Sequence, residues 1–310
     1  METAFTRFGT ATWNYPGWRG VVYPSDSPEK MSSADRLALY AQTGRYETVE
    51  ADFTFYRPQN AREWTRYAAA LPPKFPVVSK VWEEITCERF PQIERQGDRG
   101  GKVNPNYLNV GAFKTFVLKP AEEAFSDHLG PFVFEFRRDR RPTEEGRRKF
   151  RDGLERFLNA LPRGPRYAVE MRTREYFDRE HVALLNAHGA GHVLNWWTAM
   201  PPLSEQFAVN GITDSAFLIS RILVAPGRDY ADAVRMFTPY DRIRDAHPEM
   251  RADVAKVARF AEERKKDFFL IVNNRAEGSA PYTINAIRKM LGQAPPPLPE
   301  PAAEDADLPL

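Results

Sequence analysis

Short apolar runs rich in Val, Ile, Phe and Thr alternate along the chain with longer stretches in which apolar residues recur at helical spacing. Such runs indicate strands, because β-branched and aromatic side chains favour extended backbone that is buried on one or both faces. We predict eight strands, at residues 7–13, 48–53, 75–81, 130–136, 166–172, 192–197, 217–223 and 268–274.

The stretches between these runs carry the start signals of helices. A Ser, Thr, Asn or Asp before an apolar-periodic stretch accepts hydrogen bonds from the free N–H groups of a first helical turn. Four positions have this character: Ser32 or Ser33, Asn60, Thr143 and Asp178. A further helix is predicted over residues 249–265, and Pro281 suits the first turn of the last one. Residues 198–216 show no clear helix start.

Strands that alternate with helices predict a parallel sheet, because parallel neighbours need a crossover between them. The strand count and the length favour an α/β fold, a single (β/α)8 TIM barrel over residues 1–292. A doubly wound open sheet is the alternative, although the first strand lacks the Gly-x-Gly-x-x-Gly turn common in that fold. Two long insertions, 83–110 and 224–248, are expected to be binding loops or lids. The Pro-rich acidic tail 293–310 is expected to be disordered.

Composition narrows the class of protein further. Hydrophobic residues make up 42% of the 310 residues, which is enough for a sizeable core. The net charge of +2 argues against a dedicated nucleic-acid or membrane-surface protein but leaves a local basic pocket open. The sequence has one cysteine, no apolar run long enough to span a bilayer and no signal-peptide pattern at its start. We therefore expect a soluble cytoplasmic protein with no membrane partner.

Charged side chains gather near the predicted C-terminal ends of the strands, where barrel enzymes carry their reactive groups. Alternate residues of a strand share a face, so Glu50 is expected to point into the barrel mouth, and Glu170 shares a face with Arg172. Glu50, Lys80 and Glu135 lie on neighbouring predicted strands and are expected to form a carboxylate–ammonium–carboxylate cluster. Such a cluster suits acid/base catalysis, and we predict these five residues as catalytic. A structural salt-bridge network is the alternative.

Aromatic residues and further donors at the same strand ends predict ligand binding. Planar rings at a pocket mouth stack on sugars or bases, although they can equally roof the barrel. The predicted binding residues are Trp13, Tyr56, Trp82, Trp196, Arg221, Asn273 and Asn274. Residues 273–279 also run into a helix start, whose free N–H groups favour anions. With Arg221, Arg172 and Lys80 as cations, a phosphate-type anion site is expected there.

Other chemistries have little support in the sequence. None of the five histidines lies at a predicted strand C-terminus, which argues against a His-rich metal site or a Ser-His-Asp triad. We predict no metal and no cofactor; a Mg²⁺ or Mn²⁺ site made only of carboxylates from Glu50, Glu135 or Glu170 is a minor alternative. Cys87 has no histidine near it in the sequence, so a nucleophilic role is not expected.

The chain also resembles a known family. The matching residues are Gly9-Thr10, Trp13, Trp18-Arg19-Gly20, Tyr23-Pro24, the block 49–56, Phe75, Lys80, Thr86, the block 168–172, Asn273-Asn274, Gly278 and Asn285-Ala286. Over about residues 8–291 they resemble the signature of the YecE-like proteins, the domain of unknown function 72. The resemblance implies a TIM-barrel fold of unestablished activity and brings no catalytic assignment with it.

Three interpretations of function follow. The leading one is a hydrolase that acts on a polar small molecule or glycan, with Glu50, Glu135 and Glu170 as acid/base groups. As a glycosidase it would need two carboxyls ~5–5.5 Å or ~6.5–9.5 Å apart beside an open cleft. The second is a non-catalytic protein that binds a phosphate-type ligand or nucleic acid, which predicts an excess of exposed Lys and Arg around the mouth. The third is a scaffold whose mouth is filled by its own paired side chains.

Overall fold

The computed structural model describes residues 5–28 and 30–299, in which eight parallel strands form a barrel surrounded by helices. The strands are β1 (Thr6–Thr10), β2 (Val49–Ala51), β3 (Val77–Lys80), β4 (Leu129–Phe136), β5 (Tyr167–Met171), β6 (Gly191–Trp196), β7 (Leu218–Ile222) and β8 (Phe268–Val272). Each predicted strand has its counterpart, so the TIM-barrel prediction is confirmed. The second strand is shorter than predicted because the chain turns into a 3₁₀ segment at Asp52–Phe55.

The barrel closes where its first two strands meet. The sheet order β1-β8-β7-β6-β5-β4-β3-β2 leaves β1 and β2 at the two edges. The N–H groups of Glu47 and Thr48 both donate to the carbonyl of Phe8, at 3.0 and 3.3 Å. Gly9 permits this approach, because a Cβ there would lie 2.4 Å from the carbonyl oxygen of Thr48. The edges are thereby joined and the barrel is nearly closed.

Helices cover the outer face of the sheet. They are α1 (Ser33–Gln42), α2 (Ala61–Ala68), α3 (Glu83–Thr86), α4 (Val110–Ala112), α5 (Lys119–Phe125), α6 (Glu144–Ala160), α7 (Arg179–Ala187), α8 (Leu203–Phe207), α9 (Tyr230–Phe237), α10 (Pro248–Glu263) and α11 (Ala280–Met290), and π-helical residues Phe113–Leu118 join α4 to α5. The side chains of Ser32, Asn60, Thr143 and Asp178 cap α1, α2, α6 and α7, as predicted. The segment 198–216, for which no helix is predicted, contains the short α8.

Apolar packing fills the lower part of the barrel and leaves its C-terminal end to polar groups. The inward-facing apolar residues include Val78, Val133, Ala168, Val193, Ile219 and Ile271, and all of them are fully buried. The barrel interior is therefore a packed core and not a channel. Two residues further along several strands, the inward positions are charged, which sets a polar cluster directly above an apolar floor.

The two insertions carry short elements of their own. The insertion 83–110 contains α3, a 3₁₀ segment at Glu94–Arg99 and an isolated bridge between Arg89 and Val103. The insertion 224–248 contains α9. Both lie at the end of the barrel where the strands finish, so both help to shape its mouth.

The start of the tail lies against the barrel. The carbonyl of Pro296 accepts hydrogen bonds from Arg45 and Asn285, and that of Pro299 accepts one from Tyr282. Residues 300–310, the rest of the segment predicted to be disordered, lie outside the described residues. No helix in the described part of the chain is both long and apolar enough to cross a bilayer.

Candidate functional site

Inward-facing residues at the strand C-termini form one charged cluster at the barrel mouth. Its members are the carboxylates of Glu50, Asp52, Glu135 and Glu170 and the cations of Lys80, Arg172 and Arg221. We call this group the mouth cluster. Strand alternation and register explain why it forms: Glu135 and Glu170 are direct partners across β4 and β5 and stand two residues beyond buried Val133 and Ala168.

Arg221 is the centre of the mouth cluster. Its Nε and Nη2 each lie 2.8 Å from a carboxylate oxygen of Glu50. Its Nη1 lies 3.2 Å from Oε2 of Glu135 and also donates to Glu170. One guanidinium from β7 therefore joins carboxylates of β2, β4 and β5, which are not its neighbours in the sheet. The structure thus unites Arg221, predicted as a ligand-binding residue, with the three predicted acid/base glutamates.

Lys80 and Arg172 complete the ion pairs. Nζ of Lys80 lies 2.9 Å from Oε2 of Glu135 and 2.9 Å from Oδ1 of Asp52. Arg172 reaches Oε2 of Glu135 at 2.9 Å through Nη2, and Oε1 of Glu170 at 2.6 Å through Nε. The expected Glu50–Lys80–Glu135 triad therefore differs in one contact: Lys80 joins Glu135 to Asp52, while Glu50 is bound by a guanidinium.

Burial and the unequal sharing of cations separate the pKa values within the cluster. Burial raises the pKa of Glu50 to about 7, although Arg221 acts in the opposite direction. Glu135 is also buried, but Arg172, Lys80 and Arg221 together hold its pKa well below the ordinary range. Burial alone would lower the pKa of Lys80, yet Glu135 and Asp52 raise it above its usual value. Lys80 is therefore an ammonium and not a base.

Solvent reaches only the edge of the mouth cluster. The side chains of Glu50 and Glu170 are 0% exposed and that of Glu135 is 5% exposed, whereas Asp52 is 37% and Arg172 is 14% exposed. The three predicted acid/base glutamates are thus held in ion pairs below the surface. A ligand at the mouth would meet Asp52 on one side and Arg172 on the other.

One cleft opens beside Asp52 at the ends of β1 and β2. It has a volume of about 700 Å³, and its lining includes Trp13, Asp52, Tyr56, Glu63 and Arg66. Trp13 forms a buried wall, because its Nε1 donates to the carbonyl of Ser33 at 2.8 Å. Tyr56 is 51% exposed, so its ring is available to a ligand. We call this the aspartate cleft; it contains two of the predicted binding residues, Trp13 and Tyr56.

A second cleft, of about 620 Å³, lies around the ends of β4, β6 and β7. It is lined by Arg138, Arg140, Trp197, Thr198, Gly227, Arg228, Asp229 and Tyr230. We call this the arginine cleft. Arg138 and Arg140 are exposed, and neither has an ion-pair partner within residues 5–28 and 30–299. The guanidinium of Arg172 lies 4.2 Å from the ring centre of Trp197, which connects the cleft to the mouth cluster.

Two of the predicted ligand-binding tryptophans have other surroundings. Trp82 packs against Phe116, with ring centroids 6.1 Å apart. Trp196 is buried and contacts His247 at 4.7 Å between ring centroids. The next residue, Trp197, has the opposite orientation and lines the arginine cleft. The structure therefore places Trp197, and not Trp196, where a ligand would bind.

Side chains of the chain itself accept hydrogen bonds from backbone N–H groups near residues 273–279, where the sequence predicts an anion site. Oδ1 of Asn273 accepts from the N–H of Arg275 at 2.9 Å. Oδ1 of Asn274 accepts from the N–H of Ala280, the first residue of α11, also at 2.9 Å. The three cations expected to complete an anion site there are already paired inside the mouth cluster. Asn273 and Asn274 thus cap this segment from within.

The described residues form neither a metal-binding site nor a reactive thiol. Among them, no group of three or more His, Cys, Asp or Glu side chains is arranged to hold a metal ion. Glu50, Glu135 and Glu170, considered for a Mg²⁺ site, are each bound to a guanidinium. Cys87 is buried, and burial raises the pKa of its thiol to about 11, so the thiolate that a nucleophile needs is scarce at neutral pH.

Sequence reasoning missed the residues that give the arginine cleft its character: Arg138, Arg140, Trp197 and Tyr230. Strand alternation contains a signal for Trp197, because this residue directly follows β6 and continues the alternation that turns Val193 inward. The two arginines follow β4, and Tyr230 begins α9 in the second insertion. No local pattern marks these three residues, since only the closed barrel brings them together.

Comparison with solved structures identifies the same architecture in other proteins. A DUF72 family protein from Enterococcus faecalis V583 matches with a TM-score of 0.63 and 15% identity, over 93% of this chain and 96% of that one. A DUF72 family protein from Thermotoga maritima MSB8 matches with a TM-score of 0.62 and 19% identity, over 93% of this chain and 100% of that one. At these identities the likeness establishes the fold alone. Among curated proteins, none matches.

The family itself is identified by the sequence. A family model described as a protein of unknown function, DUF72, matches residues 7–306, which is nearly the whole chain. The match includes the strands β2 to β8, all of β1 except Thr6, and every residue of the mouth cluster. It agrees with the resemblance seen in the sequence motifs. The chain therefore belongs to the DUF72 family of TIM-barrel proteins.

Proposed function

We propose that this protein binds a small molecule that carries a phosphate-type anion and a planar group, in the arginine cleft at the barrel mouth. The observation that supports this most directly is the exposure of Arg138 and Arg140 beside Trp197 and Tyr230, with no carboxylate from the described residues paired to either guanidinium. Guanidinium groups bind phosphate oxygens through paired N–H donors. The proposal corresponds to the second of the three interpretations drawn from the sequence.

The electrostatics of the cleft favour an anion. Arg138 and Arg140 offer uncompensated charge, whereas Asp229, the acidic residue of the lining, caps α9 through the N–H of Ala231. Arg228 is paired with Asp245, so it adds less to the field. Two free cations next to one capping carboxylate give the cleft a net attraction for anions.

The aromatic side chains favour a planar group on the same ligand. Tyr230 is 51% exposed, and the guanidinium of Arg275 lies 4.4 Å from its ring centre. The Trp197 ring is held from behind by Arg172 at 4.2 Å. Each ring is therefore fixed by a cation on one side, and a ligand's ring can stack on the free face at small entropic cost.

Calorimetric titration with phenyl phosphate and with inorganic phosphate tests the proposal. We expect phenyl phosphate to bind more tightly, because its ring can stack as well, and we expect both affinities to fall as salt is added. The double variant Arg138→Gln/Arg140→Gln should bind phenyl phosphate about tenfold more weakly, which is the scale of a lost charge-assisted contact. Trp197→Leu should reduce the advantage of phenyl phosphate over inorganic phosphate.

Arg148→Gln/Arg163→Gln is the matched control, because it removes the same charge from exposed positions outside the cleft. We expect it to leave the affinity for phenyl phosphate unchanged. Binding that does not respond to salt, or an equal loss in the two double variants, would show that the cleft is not the site.

The other interpretations have weaker support. The hydrolase prediction, with Glu50, Glu135 and Glu170 as acid/base groups, stays a prediction; their ion pairs and burial favour a structural role, and a glycosidase would need carboxyls beside an open cleft. Mutual pairing inside the mouth cluster fits the scaffold interpretation for that cluster. Nucleic-acid binding and a cytoplasmic location also stay predictions, and the net charge of +2 does not favour the former.

A further inference from the structure

A third cavity lies outside the barrel, between the insertion 83–110 and α6. Its volume is about 740 Å³, within the range of sites that hold small ligands. The insertion provides one wall with Tyr107 and Leu108, and α6 provides the facing wall with Phe150 and Phe157. We call this space the insertion cavity. It is separate from both clefts at the barrel mouth.

The inner walls of the insertion cavity are apolar and rigid. Phe136 and Phe150 meet edge to face at 5.0 Å between ring centroids, and Phe150 stacks on Tyr176 at 5.8 Å. Phe136 and Phe157 are buried in the apolar core between the sheet and the helices, which fixes their positions. A packed aromatic wall of this kind favours a planar or alkyl group on the ligand.

The rim of the insertion cavity has an excess of cations. Its charged lining residues are the cations Arg89, Arg137, Lys149 and Arg156 and the anions Glu88 and Asp139. Glu88 is already paired with Lys149 at 2.9 Å, and Asp139 accepts from the hydroxyl of Tyr176 at 2.8 Å. Arg156 is exposed and has no ion-pair partner within the described ranges. An anionic ligand head group would find an unsatisfied charge at this rim.

We propose that the insertion cavity is a binding site for an amphipathic anion, a small molecule with a planar or alkyl body and one carboxylate- or sulfonate-type group. The body lies against Phe136, Phe150 and Phe157, and the anionic group lies at Arg156. The insertion then acts as the binding loop that its length and composition predict. This site is independent of the arginine cleft in position, because the two share no lining residue.

The binding of 8-anilinonaphthalene-1-sulfonate tests the proposal, because this probe has an aromatic body and one sulfonate. Its neutral analogue, N-phenyl-1-naphthylamine, is the matched probe without charge. We expect fluorescence titration to show tighter binding of the sulfonate. Cys87 lines the cavity and is the chain's one cysteine, so the bound sulfonate should also slow its modification by iodoacetamide. The reaction is followed at pH 9, because burial raises the pKa of this thiol to about 11 and little thiolate is present at pH 7.

Two variants distinguish this cavity from other apolar surfaces. Gly153 lies on α6, and the one neighbouring atom that a Cβ there would meet within 4 Å is the terminal methyl Cδ1 of Leu108, at 3.1 Å. Gly153→Met should place a flexible side chain inside the cavity, suit the helix and weaken the protection of Cys87 by the sulfonate. Arg156→Glu should weaken sulfonate binding about fivefold and leave the neutral probe unchanged.

Arg163→Glu is the control for Arg156→Glu, because it reverses an exposed arginine outside the cavity, and it should not alter binding. The variant Arg138→Gln/Arg140→Gln should keep full protection of Cys87, which separates this site from the arginine cleft. Unchanged protection in Gly153→Met, or equal effects of Arg156→Glu and Arg163→Glu, would overturn the proposal.

Discussion

Arg221 holds three carboxylates that would otherwise repel one another inside the barrel. Its guanidinium contacts Glu50, Glu135 and Glu170, and its side chain is 3% exposed. Removal of one partner from a buried ion pair leaves an uncompensated charge, which costs more than the pair contributes. We expect Arg221→Met to lower the free energy of unfolding by about 3–5 kcal/mol, measured by urea denaturation at pH 7.

A surface arginine provides the comparison for this prediction. Arg7 pairs with Asp267 at 3.1 Å, and its side chain is 28% exposed. Arg7→Met should therefore cost about 1 kcal/mol or less, because water screens the pair. Arg221→Lys should lie between the two, since an ammonium lacks the planar set of donors that reaches three carboxylates. Similar losses for Arg221→Met and Arg7→Met would contradict the central role of Arg221.

At the scale of single residues, the sequence predicts which way a side chain points better than it predicts which charged group the side chain pairs with. Strand alternation correctly places Glu50, Glu135 and Glu170 inside the barrel mouth. It does not predict that Lys80 meets Asp52 and leaves Glu50 to Arg221. In the register of β2 and β3, Glu50 pairs with Val78 and Ala51 with Ser79, which sets Lys80 level with Asp52. The register of two strands depends on three-dimensional packing and has no local sequence signal here.

At the scale of elements, closure of the barrel depends on one glycine in β1. A Cβ at Gly9 would lie 2.4 Å from the carbonyl oxygen of Thr48, and both groups belong to backbone that cannot move freely. We expect Gly9→Ala to force β1 away from β2 and to lower the free energy of unfolding by about 1–3 kcal/mol. Urea denaturation measures the loss.

Gly111→Ala is the matched control for Gly9→Ala. A Cβ at Gly111 would meet only Oδ1 of Asn109, at 3.3 Å, and the residue lies in α4. The substitution should be neutral or slightly stabilising, because Ala favours helix over Gly. If both variants lose the same stability, the close approach of β1 and β2 does not hold the barrel closed.

Elements with strong local signals are predictable and those without them are not. The capped helices α1, α2, α6 and α7 begin where a side-chain oxygen satisfies the first turn, so their starts can be read directly. The start of α8 has no side-chain cap, and no periodic pattern precedes it. The same holds for the insertion 83–110, whose short turns are held by long-range contacts such as the ion pairs of Glu83 with Arg95 and Arg137.

At the scale of the molecule, the alternation of strands and helices recurs along the chain and predicts the barrel several times over. An error in the bounds of one predicted element does not change the number of strands that defines the barrel. The two candidate ligand sites have no such repetition. The arginine cleft combines residues from the ends of β4, β6 and β7, and the insertion cavity combines an insertion with a helix. Curvature of the barrel brings the residues of the arginine cleft together, and packing of the insertion beside α6 encloses the insertion cavity. Both sites therefore become visible only in three dimensions.

Two sets of buried titratable groups have opposite effects on how the free energy of unfolding changes with pH. His181 of α7 and His192 of β6 are buried. Burial lowers the pKa of His181 to about 4 and that of His192 well below the usual value. The unfolded chain takes up protons below about pH 6.5, so the folded state loses stability from there downward. The pKa of Glu50 is raised to about 7, so its contribution is present at acid pH and is lost as the pH rises from about 4.5 to 7.

We expect these effects to offset each other partly in the wild-type protein between pH 5 and pH 7. Glu50→Gln removes the loss at higher pH, so its free energy of unfolding should rise over this range by about 2–3 kcal/mol more than that of the wild type. In His181→Phe/His192→Phe, the free energy of unfolding should rise less with pH than in the wild type, because the destabilisation at acid pH is removed. Urea denaturation at several pH values measures both, with His188→Gln as the control for loss of a histidine at the end of α7. Stability changes with pH only when the folded and unfolded chains bind different numbers of protons. If the free energy of unfolding has the same pH dependence in the wild type and in both variants, neither Glu50 nor the two histidines have a shifted pKa in the folded protein.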